Sequence, residues 1–204
     1  GLIGLHSYLA VNQIEYVSPE SIEITSLIFL LMNYYTLKES NKIAIERNTT
    51  FEDFDKSDYA SGVYFDKYTE KDWSPKLEKV KELFKDIHIP TQDDWEALKK
   101  SVQEHGIYSR YRMAVAPTGS ISYVNGVSAS IHPIVNRIEE RQEKKVGKIY
   151  YPAYGLSTET IPYYKSAYDT DMRKVIDVYA AATEHVDQGL SLTLFVRSQI
   201  PEGM

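Results

Sequence analysis

"VAPTGSISYVNGVSASIHP", residues 115–133, is the stretch on which the reading turns. Met113 to Ala116 form an apolar lead-in, and Pro117, which has no N–H to give a sheet, ends it. Thr118, Gly119, Ser120 and Ser122 then crowd hydroxyls and a glycine into a few positions before a helix-compatible run. A strand, a turn and a helix start in that order suit an anion. The first amides of a helix have no intrahelical acceptor and carry the positive end of its dipole. Gly119 lets the backbone come close, and the hydroxyls of Thr118, Ser120 and Ser122 are further donors for phosphate oxygens. No Lys follows the turn, so it is not a Walker A loop. The same residues also fit a plainer use, a capped helix whose hydroxyls serve only the backbone.

Outward from this stretch, the chain reads as helices interleaved with short apolar strands, an α/β pattern. Ser18 caps and Pro19 opens a helix that runs to about Asn48, apolar on nearly every face from Ile22 to Ile45 and so buried on most sides. Residues 51–73, rich in Asp, Tyr and Phe, read as short turns and loops. Leu77, Val80, Leu83 and Phe84 predict a helix over 75–87. Thr91 and Asp94 have capping-box spacing ahead of a Trp95, Leu98, Val102 stripe that Gly106 stops. Residues 111–116 predict a strand ending at Pro117. Residues 135–152 alternate polar and apolar and predict a charged β-hairpin turning near Lys145 and Gly147. That charge marks a solvated face or, as a sharper alternative, a docking surface for a partner subunit. Thr170 is placed as the cap of a helix carrying Met172, Val175, Ile176, Tyr179, Ala182 and Val186 up to Gly189, and Leu190 to Val196 as a last strand.

Composition narrows the function classes. The 204 residues are 43% hydrophobic and 25% charged, as expected for a globular chain with a sizeable core. A net charge of −6 argues against a nucleic-acid surface, which needs clustered Lys and Arg. The longest apolar run, Leu27 to Met32, is far too short for a bilayer, so no membrane partner is expected and a cytoplasmic location is the default. There is no cysteine, which removes disulfides, thiolate metal sites and thiol nucleophiles from these residues. The five histidines (His6, His88, His105, His132, His185) lack metal-ligand spacing, and no metal site is expected. The pairs Tyr34-Tyr35, Tyr150-Tyr151 and Tyr163-Tyr164 are placed as amphipathic packing. The chain opens on GLIGLHSYLA without a Met and closes on RSQIPEGM after an apolar run, which suggests a piece of something longer.

Four runs carry a more specific signal: residues 112–153 ("RMAVAPTGSISYVNGVSASIHPIVNRIEERQEKKVGKIYYPA"), 33–47 ("NYYTLKESNKIAIER"), 94–106 ("DWEALKKSVQEHG") and 175–195 ("VIDVYAAATEHVDQGLSLTLF"). With them the chain resembles, over essentially its whole length, the catalytic large subunit of class Ib ribonucleoside-diphosphate reductases. The resemblance implies part of a ten-stranded α/β barrel, its C-terminal half, with residues 1–204 forming no separate second domain. It implies reduction of ribonucleoside diphosphates at the ribose 2′-carbon. It also places the substrate diphosphate on Pro117, Thr118, Gly119, Ser120 and Ile121.

The departures from that family are as informative. The Asn-Leu-Cys-x-Glu loop that carries the thiyl radical, the reducing cysteine pair and the effector-binding cone have no counterpart in these residues. The terminal redox tyrosines are expected some tens of residues beyond Met204. No catalytic residue and no cofactor are therefore assigned within this chain. The resemblance implies that the dimetal-tyrosyl radical sits on a small subunit, that nucleotide effectors act on the whole enzyme, and that a redoxin supplies the dithiol. The remaining partner is the rest of the large subunit. The alternative function is a non-catalytic remnant or split-gene piece that binds phosphate or reductase subunits without turnover.

Overall fold

The structure, a computed structural model, describes residues 2–143 and 147–197. They divide into two compact units: Gly1–Thr25, Ala114–Glu184 and Gly189–Met204 make the first, Ser26–Met113 and His185–Gln188 the second.

The second unit is helical. Most of it hangs on α2 (Pro19–Arg47), whose earlier turns belong to the first unit. Leu27, Leu30, Tyr34 and Leu37 are buried along it, and Asn33 and Asn41 are buried with them, so the apolar covering expected on nearly every face is interrupted by amides. Among the described residues no helix is long and apolar enough to cross a membrane. Residues 51–73 fold as short helical turns, including α3 (Asp58–Ser61) and α4 (Asp66–Thr69). α5 (Glu78–Phe84) is shorter than the periodicity predicts at both ends, with Leu77 extended as its N-cap. α6 (Gln92–His105) forms as expected. Thr91 and Asp94 complete the reciprocal capping box, Gly106 is the C-cap, and Trp95, Leu98 and Val102 are buried. Tyr68 stacks on Trp95 with ring centres 4.0 Å apart, and Tyr34 meets the same indole edge-on at 4.9 Å.

The first unit is built from chain segments far apart in sequence. α1 (Leu5–Val11), which periodicity did not single out, buries Leu5, His6, Ser7, Leu9 and Ala10. It starts at Gly4 in the left-handed region, where a Cβ would press within 3.2 Å of Val127. Ser7 and Ser128 clasp each other: each backbone N–H donates to the other's hydroxyl, at 3.1 and 2.9 Å. α7 (Gly119–Asn125) follows the turn of the opening stretch. β1 (Ile138–Glu143) and β2 (Gly147–Pro152) pair antiparallel, Ile138 opposite Pro152 and Glu143 opposite Gly147. The expected hairpin is thus present, while its tip, with Lys144 and Lys145, lies outside the described residues.

α8 (Met172–Thr183) buries Val175, Val178, Tyr179 and Ala182. Its cap is Asp171, one residue later than expected, because the Thr170 hydroxyl is already donating to the Ser166 carbonyl at 2.8 Å. Ile176, placed on the core side by periodicity, is 44% exposed, and the helix ends at Thr183 rather than at Gly189.

Two expected strands, 111–116 and Leu190–Val196, do not form a ladder among the described residues. One parallel bridge pairs Val115 with Leu190. It is held by the Val115 N–H on the Gly189 carbonyl (3.1 Å) and the Ser191 N–H on the Val115 carbonyl (2.8 Å). Pairing stops on one side at Pro117. On the other, within the second unit, the amides of Arg112 and Met113 donate to the Asp187 carboxylate, both at 2.9 Å, in place of a strand carbonyl. Leu192, Leu194 and Val196 stay exposed. The α/β expectation therefore meets a mixed fold, mainly helical, with one two-stranded sheet among the described residues.

Candidate functional site

The turn after Ala116 has the form its sequence suggests, with the hydroxyls used differently. Thr118 occupies the left-handed region at φ 50°, uncommon for a β-branched residue and a place where backbone strain is held by its surroundings. Those surroundings are visible. The Thr118 hydroxyl does not cap α7 but accepts the Ser130 N–H at 2.7 Å, bracing the turn against the following loop. Ser130 is itself left-handed at φ 49°.

The first helical bond runs from the Ser122 N–H to the Thr118 carbonyl at 3.1 Å, so the amides of Gly119, Ser120 and Ile121 precede it. Pro117, Gly119, Ser120 and Ile121 are exposed and Thr118 is half-buried. The Ser120 hydroxyl has no partner among the described residues. Ser122, counted above with the phosphate donors, is buried and donates to the Gly119 carbonyl at 2.8 Å, so it serves the backbone. Gly119 needs no left-handed φ, and a Cβ there would meet no atom within 4 Å. Neither backbone geometry nor protein packing asks for glycine, so what it provides is open space above the turn.

That space continues into a cavity of about 450 Å³ lined by Pro117, Gly119, Tyr123, His132, Asn136 and Glu139, with Glu140 and Phe195 at its margin. An adjoining cavity of about 300 Å³ shares Tyr123, His132, Asn136 and Glu139. The Tyr123 hydroxyl donates to Glu139, and the Arg141 guanidinium lies 3.7 Å from the centre of the Tyr123 ring. Burial, and then the Glu139 carboxylate, hold the Tyr123 phenol above its ordinary range. His132 is half-buried, its Nδ1 has no hydrogen-bond partner, and burial pulls it below the usual imidazole range against the opposing pull of Glu139.

The sequence pattern offered His132 no metal-ligand role and did not single out Glu139 or Glu140. A signal was present, since His132 closes the same quoted stretch, but sequence spacing carries no record of a loop folding back on Thr118. Among the described residues no three histidine, aspartate or glutamate side chains gather as a metal site.

The loop carrying His132 is anchored from behind. His6 accepts the Ile134 N–H on Nδ1 at 2.9 Å and reaches the Tyr163 carbonyl from Nε2 at 3.0 Å, which fixes the Nε2–H tautomer. Burial takes its pKa down to about 4, so it stays neutral. The Tyr16 hydroxyl donates to the Ile131 carbonyl. The site thus has a braced backbone and unengaged polar groups at its open face, an arrangement able to receive a polar, anionic ligand.

Comparison with known proteins gives a consistent set of relatives. The family described as "Ribonucleotide reductase, barrel domain" matches residues 1–203. The alpha subunit of a ribonucleoside-diphosphate reductase from Bacillus subtilis (strain 168) is 49% identical over 197 residues, covering 97% of this chain and 28% of that protein. The corresponding subunit from Mycoplasma pneumoniae is 42% identical over 202 residues, 96% of this chain and 28% of that protein. The one from Helicobacter pylori is 31% identical over 204 residues, all of this chain and 25% of that protein. The chain spans about a quarter of the length of these curated relatives.

Proposed function

This chain belongs to the ribonucleotide reductase barrel-domain family, and from that premise we propose that it is a segment of a class Ib ribonucleoside-diphosphate reductase large subunit and supplies the substrate-diphosphate turn. The segment is the C-terminal half of the ten-stranded barrel, and the bridge between Val115 and Leu190 is the beginning of its parallel pairing. The whole enzyme replaces the 2′-hydroxyl of a ribonucleoside diphosphate by hydrogen, releasing water while a dithiol is oxidised to a disulfide. The relatives' names, which specify ribonucleoside diphosphates and an alpha subunit, support that substrate and the existence of other subunits.

The role of these residues is to bind and orient. Pro117 ends the incoming segment, Thr118 sets the reversal, the amides of Gly119, Ser120 and Ile121 face the phosphate, and the Ser120 hydroxyl adds a donor. The thiyl radical and the dithiol lie in other parts of the enzyme, because these residues contain no cysteine and Met has no S–H hydrogen to lose, and the resemblance puts the redox tyrosines there too. The small subunit delivers the radical from its dimetal-tyrosyl centre, and a redoxin restores the dithiol.

The observation that carries the reading is Gly119 with Ser120: an exposed turn whose glycine faces open space and whose serine hydroxyl is unengaged among the described residues. In the full-length reductase, Ser120→Ala is expected to weaken nucleoside-diphosphate binding by about 1.5–3 kcal/mol, the range for a hydrogen bond to a charged group. Unchanged affinity together with unchanged turnover would remove the assignment. The purified 204-residue chain is expected to make no deoxynucleotide with any small subunit or reductant, and turnover above background would refute its role as a partial segment.

A further inference from the structure

Resting on the phosphate-turn reading, we propose that His132 is the proton-carrying partner of the substrate diphosphate, passing from imidazole to imidazolium as the nucleotide settles beside the turn. The geometry comes first. His132 lines the same cavity as Pro117 and Gly119. It stands two residues from Ser130, whose N–H is bound to the Thr118 hydroxyl, so ring and turn share one brace. No Lys or Arg lines either cavity among the described residues. Arg141 lies beside this space but is stacked on the Tyr123 ring at 3.7 Å, so an anion entering loses water for little countercharge, which is costly unless a nearby group becomes cationic.

The other charged groups facing the ring are already engaged. Glu139 accepts from Tyr123, and Glu140 pairs with Lys148 at 2.6 Å. Across from the loop, His6 is neutral and bonded on both nitrogens. Tyr151 and Tyr154 line the adjoining cavity and bring no charge. His132 alone among the imidazole and carboxylate side chains lining the larger cavity has no hydrogen bond or ion pair among the described residues, and its buried Nδ1 is a polar atom without a partner.

The sign follows from linkage. Burial depresses His132 in the free protein, and a bound phosphate raises it, so between those two values each binding event takes up a proton and affinity grows as pH falls. A terminal phosphate titrates near pH 6 and pulls the other way, so the histidine must be isolated by substitution.

Isothermal titration of the full-length large subunit with a ribonucleoside diphosphate, at several pH values and in buffers of different ionisation enthalpy, reads the protons directly. Wild type is expected to take up a fraction of a proton per nucleotide near pH 7. His132→Gln is expected to lose that uptake and to bind several-fold more weakly, with the loss larger at pH 6.5 than at pH 8. The parent ribonucleoside, lacking phosphates, is expected to show no uptake. Equal uptake in wild type and His132→Gln overturns the proposal, as does a wild type that takes up no proton between pH 6 and 8, whatever the variant's folding. Ser120→Ala in the same titration separates the two readings. If it weakens binding while His132→Gln leaves uptake unchanged, the turn stands and the histidine falls. If neither substitution affects binding, both fall.

Discussion

Arg112 and Pro117 are five positions apart in sequence, yet the groups around them follow opposite rules. In the second unit the Arg112 guanidinium is closed in. Its Nη1 donates to the Asn33 carbonyl and side-chain oxygens (3.2 and 2.9 Å), its Nη2 to the Tyr59 and Tyr64 hydroxyls (2.8 and 3.3 Å), and its Nε lies 3.3 Å from Asp187. Asn33 passes the chain on to Tyr68, and Tyr68 to His185. Around the turn, the Ser120 hydroxyl and the His132 Nδ1 have no hydrogen-bond partner among the described residues, and the glycine faces empty space. The difference separates two uses of polar groups: one network spends nearly all its hydrogen bonds on its own shape, the other leaves some open, as the proposed ligand site requires. Stability should therefore concentrate in the first and ligand affinity in the second.

The sharpest way to break that contrast is Asp187→Ala in the full-length protein. The side chains of Arg112 and Asp187 are only 3% and 10% exposed, so the substitution leaves a buried cation without its counter-ion and two backbone amides without their acceptor. A loss of about 3–5 kcal/mol is expected by urea unfolding. A loss below ~1 kcal/mol would mean that this network does not carry the unit's stability.

Acid should reach both units through buried histidines. His6 in the first unit is depressed to about 4, and His185 in the second, through burial and then the nearby Lys67 and Lys71, to about 3. Both lie below the ordinary 6.5, so each neutral ring contributes in full above pH 6.5, and the contribution falls away as pH drops toward those values. Each is expected to remove about 3 kcal/mol by pH 4 at ~1.36 kcal/mol per unit. Denaturant midpoints measured between pH 7 and pH 4 check this, and His6→Gln should flatten the first unit's share. A pH-independent midpoint would show both rings to be solvated.

The smallest expected effects are at the turn. Thr118→Ala leaves the Ser130 amide without its acceptor and should cost about 1–2 kcal/mol, whereas Thr118→Ser, which keeps the hydroxyl and drops the β-branch, should stay within ~0.5 kcal/mol. Ser120→Ala should not move the melting midpoint measurably even where it weakens binding. A Ser120 variant that melts early would place that hydroxyl among the structural bonds and erase the contrast.

What could be read from the sequence was what local chemistry decides. Thr91 and Asp94 set a helix start without help from distant residues, Pro19 opened α2, and the alternation in 135–152 gave the hairpin. What failed was set by competition over distance. Thr170 looked like a cap until Ser166 took its hydroxyl. The segment 111–116 looked like a strand, but its Arg112 and Met113 amides went to a carboxylate 75 and 74 positions along the chain. The turn at 117–121 was legible as a strand, turn and helix start suited to an anion or to a plain cap, and only the resemblance proposes the diphosphate there. His132, Asn136 and Glu139 were not legible, because their place beside the turn is set by the loop that folds back onto Thr118.

The way the units are cut from the chain has a bearing on assembly in time. The second unit is almost one continuous stretch, Ser26–Met113, whereas the first needs Gly1–Thr25 to meet Ala114–Glu184. The serine clasp between positions 7 and 128 closes a loop of 121 residues. Closing so long a loop is slow, because its entropy is lost before any contact repays it. During synthesis, at ~5–20 residues per second, α1 leaves the ribosome several seconds before its partners exist. Its buried face, Leu5, Leu9 and Ala10, spends that interval without the later residues that cover it. The nascent chain therefore carries α1 as an apolar helix that waits for these later residues, which makes this short segment a natural place for a chaperone to hold the protein and for misassembly to begin.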